Sequence, residues 1–325
     1  VHDRPFDLEG EIRKLRELAD RVCLGPSTLA IVEAARVRNI PHRRLNAGSL
    51  VQLGHGSKQR RIWTAETDRT SAIAESIAGD KDLTKTLLKS CGVPVPEGSL
   101  VRSASEAWDA AQDIGLPVVV KPYDGNHGRG VVLNLTRRED IEKAYHIASS
   151  ESDSTAVIVE RYIAGDEHRL LVVGRDVVAA AKGESLWVTG DGVSTVVQLC
   201  DSQINTDPRR GHTEDAPLGI VIPHESDEIK LDLARQGLTP DSVPEAGQKV
   251  LIQVNGNVAH DCTDRVHPSV AHAAALAARV VGLDTAGIDL VSPDITRPLE
   301  ETGGAIIEVN ASPGLLAHMK PASGA

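Results

Sequence analysis

The sequence predicts an α/β chain (α/β or α+β), and three observations carry that prediction. Segments with apolar residues at helical spacing alternate with β-branched runs from one end to the other. The 325 residues suffice for roughly two or three domains and a large buried core. Aromatic residues make up only 2% of the chain, so the cores must be built from Val, Leu, Ile and Ala. A 41% apolar and 25% charged composition is that of a soluble globular protein.

The elements follow in order. LEGEIRKLRELA (Leu8–Ala19) has helical spacing, and PSTLAIVEAARVRN, after "LG", reads as a second helix. SLVQLGHGSKQRRIWTA reads as a hairpin turning around Gly54 and Gly56. TSAIAESIA is a short helix; Asp80 is placed to cap KDLTKTLLKSC and Gly92 to close it. The prolines of GVPVPEGSLV require an extended segment. SASEAWDAAQDIG is a helix with Ser103 as N-cap and Glu106 three residues later, the spacing of a capping box. The strand–loop–strand VVVKPYDGNHGRGVVL comes next, then the helix REDIEKAYHIASS and the strands TAVIVERY, HRLLVVG and VVAAAK. From about Gly183 to Gly247, loops mix with helices near STVVQLCDSQI and SDEIKLDLARQG. The strand KVLIQV, the Ala-rich helix HPSVAHAAALAARVVG and the strands AGIDLVS and GAIIEVN complete the order. No internal repeat or low-complexity segment interrupts it.

Charge narrows the function. The net charge is −11, yet residues 1–62 hold twelve Lys/Arg and seven Asp/Glu, so that part is +5 and the remainder −16. The acidic bulk and the lack of aromatic stacking platforms argue against nucleic-acid binding. The basic N-terminal part, including Lys58, Arg60 and Arg61, either meets an acidic substrate or is a solvated surface. Four cysteines lie far apart with no C-x-x-C, so neither a zinc site nor a redox pair is expected. Scattered thiols suit the cytoplasm. No signal peptide or long uncharged apolar run is present, which disfavours secretion and membrane spanning. The start at Val1 and the stop after KPASGA suggest a piece of a longer protein.

The chemistry starts from VVVKPYDGNHGRGVVL. Lys121 ends one strand and Gly125, Gly128 and Gly130 precede the next. A P-loop requires G-x-x-x-x-G-K-[ST], which is absent. A Rossmann turn requires G-x-G-x-x-G between strand and helix, whereas here the order is G-x-x-G-x-G and a strand continues. The stretch is therefore a hairpin tip. It either folds over a nucleotide and offers N–H groups to phosphates, with Lys121 beside them, or uses glycine for turn geometry alone. In VIVERYIAGDEHRLLVV, Glu160 and Glu167 lie seven residues apart around a crossing segment. They are placed either to accept from an adenine amino group and ribose hydroxyls or as surface carboxylates flanking a turn. Asp289 lies within an apolar strand, where a charge must be paired or bind a cation. Glu308 and Asn310, at i and i+2, share a face, with Ile307 and Val309 on the other. Two carboxylates and an amide oxygen suit Mg²⁺; the alternative is a buried carboxylate bonded to backbone.

These elements, in this order from about Thr67 onward, resemble the ATP-grasp superfamily, which implies two lobes holding a nucleotide between β-sheets. The resemblance implies that Lys81 and Lys121 bind phosphates. It implies that Gly125, Asn126, His127, Gly128, Arg129 and Gly130 form the lid over ATP. Glu160 and the backbone at Arg161 and Ile163 would read adenine, and Glu167 would hold the ribose. Asp289, Glu308 and Asn310 would hold two Mg²⁺ ions. A closer resemblance, to the cyanophycin synthetases, rests on TDRTSAIAESIAGDKDLTKTLL, KPYDGNHGRGV, VTGDGVSTVVQLCDSQINTDPRRG, LARQGLTPDSVPEAGQ and TDRVHPSVAHAAALAARVVGLDTAGIDLV. It implies residues 1–66 as the end of an N-terminal domain and 67–325 as the ATP-grasp domain, with a lid subdomain at about 117–165. It implies a ligase that adds L-aspartate through an acyl phosphate to a cyanophycin primer, in a homo-oligomer that continues into a Mur-ligase-like domain. One departure matters. D-alanine ligases carry an arginine two residues before the metal aspartate, and here that position is Gly287; Arg169 or Arg265 is the replacement expected among catalytic residues, with a strand-edge salt bridge the alternative for Arg169.

Overall fold

A computed structural model describes residues 6–124, 129–152, 154, 156–211, 216, 218–254 and 259–324. Helices α1 (Leu8–Val22) and α2 (Pro26–Val37) precede four antiparallel strands, β1 (His42–Arg44), β2 (Leu50–Leu53), β3 (Arg60–Trp63) and β4 (Glu66–Thr67). A small core of Val32, Val51 and Ile62 joins α2 to this sheet. The β2–β3 connection closes through a 3₁₀ turn at Gly56–Lys58, and Lys58, Arg60 and Arg61 are exposed there. Helices α3 (Ala72–Gly79) and α4 (Lys81–Ser90) follow. Asp80 starts α4 as expected, its carboxylate accepting the Leu83 N–H at 2.9 Å.

The next unit contains β5 (Gly98–Val101), α5 (Ala104–Ile114), β6 (Val118–Pro122), β7 (Val132–Leu135), α6 (Arg138–Ser150) and β8 (Val157–Arg161). Its sheet runs β5-β8-β6-β7, and α5 and α6 cover one face. The alternation of a strand decides which side chains go where. Val118 and Val120 are fully buried against the helices, while Val119 and Lys121 point to the opposite face. The unit starts earlier than residue 117, because β5 pairs along β8 from Gly98↔Glu160 to Val101↔Val157. The capping box expected at Ser103 is only half made. Ser103 accepts the Glu106 N–H, but the Glu106 carboxylate returns to the Arg102 N–H at 2.8 Å.

The remainder comprises β9 (Asp166–Val173), β10 (Asp176–Lys182), β11 (Leu186–Thr189), α7 (Val196–Gln203), β12 (Arg210–Gly211), β13 (Leu218–Gly219) and α8 (Asp227–Arg235), then β14 (Lys249–Gln253), β15 (His260–Asp261), α9 (Pro268–Val281), β16 (Thr285–Ser292), α10 (Leu299–Thr302), β17 (Ala305–Asn310) and α11 (Leu316–Met319). The main sheet has the order β15-β10-β9-β16-β17. Leu170, Val172, Ile288, Leu290 and Ile306 from it are fully buried with α3, α4 and α9. Each such side chain contributes roughly 1.5–3 kcal/mol of burial. β11, β14, α7 and α8 form a separate small core.

One core residue makes stability depend on pH. His168 in β9 is 2% exposed, and burial lowers its pKa to about 4. An unfolded histidine takes up its proton near pH 6.5, whereas the folded one resists until about 4. Stability is therefore unaffected above 6.5 and is lost as pH falls from there towards 4, by up to about 3 kcal/mol. Denaturant unfolding of the wild type and His168→Asn across that window checks this. Equal slopes in the two proteins would remove His168 as the cause.

Candidate active site

Residues 162–165 carry the chain from β8 into β9, and so from one sheet to the other. A cleft of about 790 Å³, its open mouth included, lies along this crossing. Val119, Lys121 and Glu160 line it from one sheet, Tyr162 and Ile163 from the crossing, and Glu167, Val291 and Ile307 from the main sheet. Mostly apolar walls with a few convergent charges are those of a small-molecule site. In the crossing, the Arg161 N–H is taken by the Glu97 carbonyl and the Tyr162 N–H by the Pro117 carbonyl. No turn or loop hydrogen bond among the described residues takes the Ile163 N–H.

Strand register builds the acidic part. Arg169, Asp289 and Glu308 lie directly opposite one another across β9, β16 and β17. Residues so placed share a face. Arg169 Nε and Nη2 each donate to an oxygen of Asp289 at 2.6 Å, and Asn310 Nδ2 donates to Asp289 Oδ2 at 2.9 Å. Asp289, 5% exposed, raises the pKa of the Arg169 guanidinium. A Cβ built on Gly287 would lie 3.9 Å from Arg169 Cζ, so the Arg169 guanidinium stands beside the position of the missing arginine. Arg265 is exposed in the 3₁₀ turn Thr263–Arg265, and no hydrogen bond or ion pair among the described residues joins it to Asp289 or Glu308. Of the two arginines, Arg169 is the one that adjoins Asp289 and Gly287. The strict alternation expected for β17 also fails. A register shift opposite Leu290 leaves Ile307 as the extra residue, and Ile307 lines the cleft while Val309 goes to the core.

Asp289, Glu308 and the Asn310 amide oxygen form a hard, all-oxygen donor set that fits Mg²⁺. No group of three or more His, Cys, Asp or Glu suited to a metal occurs among the described residues, so the set depends on Asn310. Two carboxylates opposite each other repel unless cations intervene. Here Arg169 serves Asp289, and Lys81 Nζ lies 3.3 Å from Glu308 Oε1. Burial pushes the Glu308 carboxyl up, but Lys81 and then Lys121 outweigh it and hold its pKa below the usual value.

Glu160 is 3% exposed; Lys85 Nζ pairs with Oε1, and Lys121 Nζ lies 3.0 Å from Oε2. A cation thus stands on each of its oxygens. Burial lowers the Lys121 pKa to about 8, against the pull of Glu308. Lys85 was not singled out from the sequence, although it stands one helical turn after Lys81 on the same face, which was the available signal. Four basic side chains (Lys81, Lys85, Lys121, Arg169) thus meet three carboxylates (Glu160, Asp289, Glu308), and burial presses Lys85 and Lys121 towards their neutral forms. Of the hairpin residues, Gly125, Asn126, His127 and Gly128 lie outside the described residues. Arg129 Nε lies 3.8 Å from Glu151, and the Gly130 N–H donates to Glu228.

Residues 80–211 match the family model described as the carbamoyl-phosphate synthase L chain, ATP binding domain. The chain is 40% identical over 324 residues to the cyanophycin synthetase of Crocosphaera subtropica and 41% identical over 325 residues to that of a Synechocystis strain. Each alignment covers 98% of this chain but 37% of the relative, so the chain spans just over a third of their length. A glutathione biosynthesis bifunctional protein from Enterococcus faecalis is 34% identical over 333 residues, covering 99% of this chain and 42% of that one. The crystal structure of a bifunctional glutathione synthetase from Pasteurella multocida superposes with a TM-score of 0.61 at 29% identity, covering 94% of this chain and 43% of the other. No helix among the described residues is long and apolar enough to cross a membrane.

Proposed function

We propose, from the premise that this chain is an ATP-grasp domain, that it is an ATP-dependent carboxylate–amine ligase that adds L-aspartate to the C-terminal carboxylate of a cyanophycin primer. The observation that carries the ligase reading is the row Arg169–Asp289–Glu308, with Asp289 buried at its centre, facing Lys81 and Lys121 at the end of the cleft. Similarity to cyanophycin synthetases along 98% of the chain supports the substrate.

The adenine edge lies against the crossing, where the Ile163 N–H and the Arg161 carbonyl read it, with Glu167 at the ribose. Lys81 and Lys121 hold the phosphates. Asp289, Glu308 and Asn310 would hold two Mg²⁺ ions, which would screen the phosphate charges. The primer carboxylate attacks the γ-phosphorus, the bond to the β-phosphate bridging oxygen breaks, and ADP leaves. The aspartate amine then attacks the acyl carbon and expels phosphate, losing a proton as the amide forms. Charge gathers on phosphoryl oxygens and then on the tetrahedral oxyanion, so fixed cations do most of the work. Arg169 stands where an oxyanion would need it.

The test is ADP release from ATP and Mg²⁺ with a short β-Asp-Arg primer, with and without aspartate, and mass spectrometry of the product. Primer-dependent ADP and a gain of one aspartyl residue are expected. A second reading, another amino acid or peptide as substrate, is favoured by the similarity to the glutathione proteins. Turnover with glutathione precursors in place of the primer would select it. ATP binding without ADP formation under either condition would indicate a silent nucleotide-binding domain.

Lys121 predicts how ATP affinity follows pH. A neutral lysine does not attract phosphate, and the free protein's Lys121 has its pKa lowered to about 8, with burial as the main cause. A bound polyanion raises that value. Below pH 8 the affinity is therefore flat with respect to this group. Above it, binding must take up a proton, and Kd rises by up to about tenfold per pH unit. Calorimetry between about pH 7 and pH 9.5 reads both the affinity and the proton uptake. An affinity unchanged over that range would mean that Lys121 brings no charge to the phosphates.

A further inference from the structure

The cluster holds one cation that the proposed chemistry leaves unused, Lys85. Resting on the ATP-ligase reading, we propose that Lys85 is a positioning residue for phosphate binding: by occupying Glu160 it leaves the charge of Lys121 available to the triphosphate.

The geometry is a buried trio. Glu160 sits between two ammonium groups, Lys85 on Oε1 and Lys121 on Oε2. The three side chains are 13%, 4% and 10% exposed for Lys85, Glu160 and Lys121, so water does little to screen them. A buried Glu160–Lys121 pair alone would be neutral, and its field at a phosphate would largely cancel. The second ammonium makes the trio one charge positive on the wall of the cleft. α4 supplies it by simple spacing. Lys81, at the start of the helix, meets Glu308 of the main sheet, and Lys85, one turn later, meets Glu160 of the other sheet. One helix therefore delivers one ammonium to a carboxylate on each wall. Burial first, and then Lys121, press Lys85 towards its neutral form, with Lys81 acting in the same sense and Glu308 against it. Contact with the Glu160 carboxylate opposes that pressure. The competing account is a plain brace, in which Lys85 only ties α4 to β8.

Charge and brace predict opposite outcomes in a double variant. Wild type, Lys85→Met, Lys85→Arg and Lys85→Met/Glu160→Gln are titrated with ATP, ADP and adenosine in Mg²⁺, with thermal unfolding to confirm that each is folded. Lys85→Met is expected to weaken ATP and ADP by about tenfold to a hundredfold and to leave adenosine unchanged. Lys85→Arg restores affinity to within about threefold. The double variant removes the negative charge together with the positive one, so Lys121 again acts alone and most of the loss is recovered. A brace predicts no recovery, because the link to α4 is still missing. Wild-type ATP affinity in Lys85→Met, or a double variant no better than the single, overturns the proposal. Failure of the wild type to bind any nucleotide overturns the ligase reading and this inference with it.

Discussion

Glu308→Gln is expected to lower ATP-dependent turnover by about a thousandfold while the protein stays folded, and Asp289→Asn to lower turnover as far and stability as well. The two differ because their partners differ. Glu308 meets Lys81 at 3.3 Å, and the Glu308 side chain keeps 30% of its surface open, so an amide of the same shape stays partly solvated and still offers Lys81 an oxygen. Asp289 receives both nitrogens of Arg169 at 2.6 Å and the Asn310 amide at 2.9 Å. An amide there exchanges a charge-assisted pair for a neutral hydrogen bond beside Arg169, whose side chain is 36% exposed, so water offsets part of the loss and the cost is about 1–2 kcal/mol. Both changes remove a carboxylate from the proposed Mg²⁺ set and so the electrostatics on which the proposed phosphoryl transfer rests. Single-turnover ADP formation and denaturant unfolding, measured on the same preparations, separate the effects. A Glu308→Gln protein within tenfold of the wild-type rate would sink the assignment of Glu308 as a metal ligand.

Local signals in the sequence were faithful wherever the structure is local. Asp80 caps α4, and Ala-rich α9 and the strand runs β8, β9, β16 and β17 appear where periodicity placed them. Asp289 was visible because a charge in an apolar run demands a partner. The partner was not visible. Arg169 and Asp289 are 120 positions apart, and only the β9–β16 register puts them opposite each other. Lys85 and Glu160 are separated in the same way, by 75 positions, and meet because α4 crosses the end of the cleft. The bulge at Ile307 leaves no mark in composition, since an extra apolar residue in an apolar strand looks like continuation. The half-made box at Ser103 shows the limit of motif spacing. Glu106 was at the right distance, but the Arg102 N–H was the donor it met. The roles of the lysines and the acidic set came from resemblance to a superfamily; the geometry adds that Glu160 pairs with two lysines and that Arg169, not Arg265, pairs with Asp289.

Gly165→Ala is expected to be among the most damaging single methyl additions in the chain. Gly165 is the last residue of the crossing between the sheets and has φ +131°, a region that L side chains rarely adopt. A Cβ there would stand 2.4 Å from the Ser292 carbonyl carbon and from the Pro293 nitrogen. Both are backbone atoms, so no side chain can swing away, and the start of β9 must move off the end of β16. That junction carries the pairs Asp166↔Ser292, Val291↔Glu167 and, three residues further along, Asp289↔Arg169. A shift at residue 165 therefore reaches the cleft wall and the charged row together. Stability should fall by about 3 kcal/mol or more, and ATP affinity with it. Gly174→Ala is the control. It has φ +68° with nothing within 4 Å of its Cβ, so it carries backbone strain without a clash and should cost about 1 kcal/mol and leave ATP binding intact. Equal losses at the two positions would show that the left-handed backbone alone, and not the close approach to Ser292 and Pro293, is what requires glycine in the crossing.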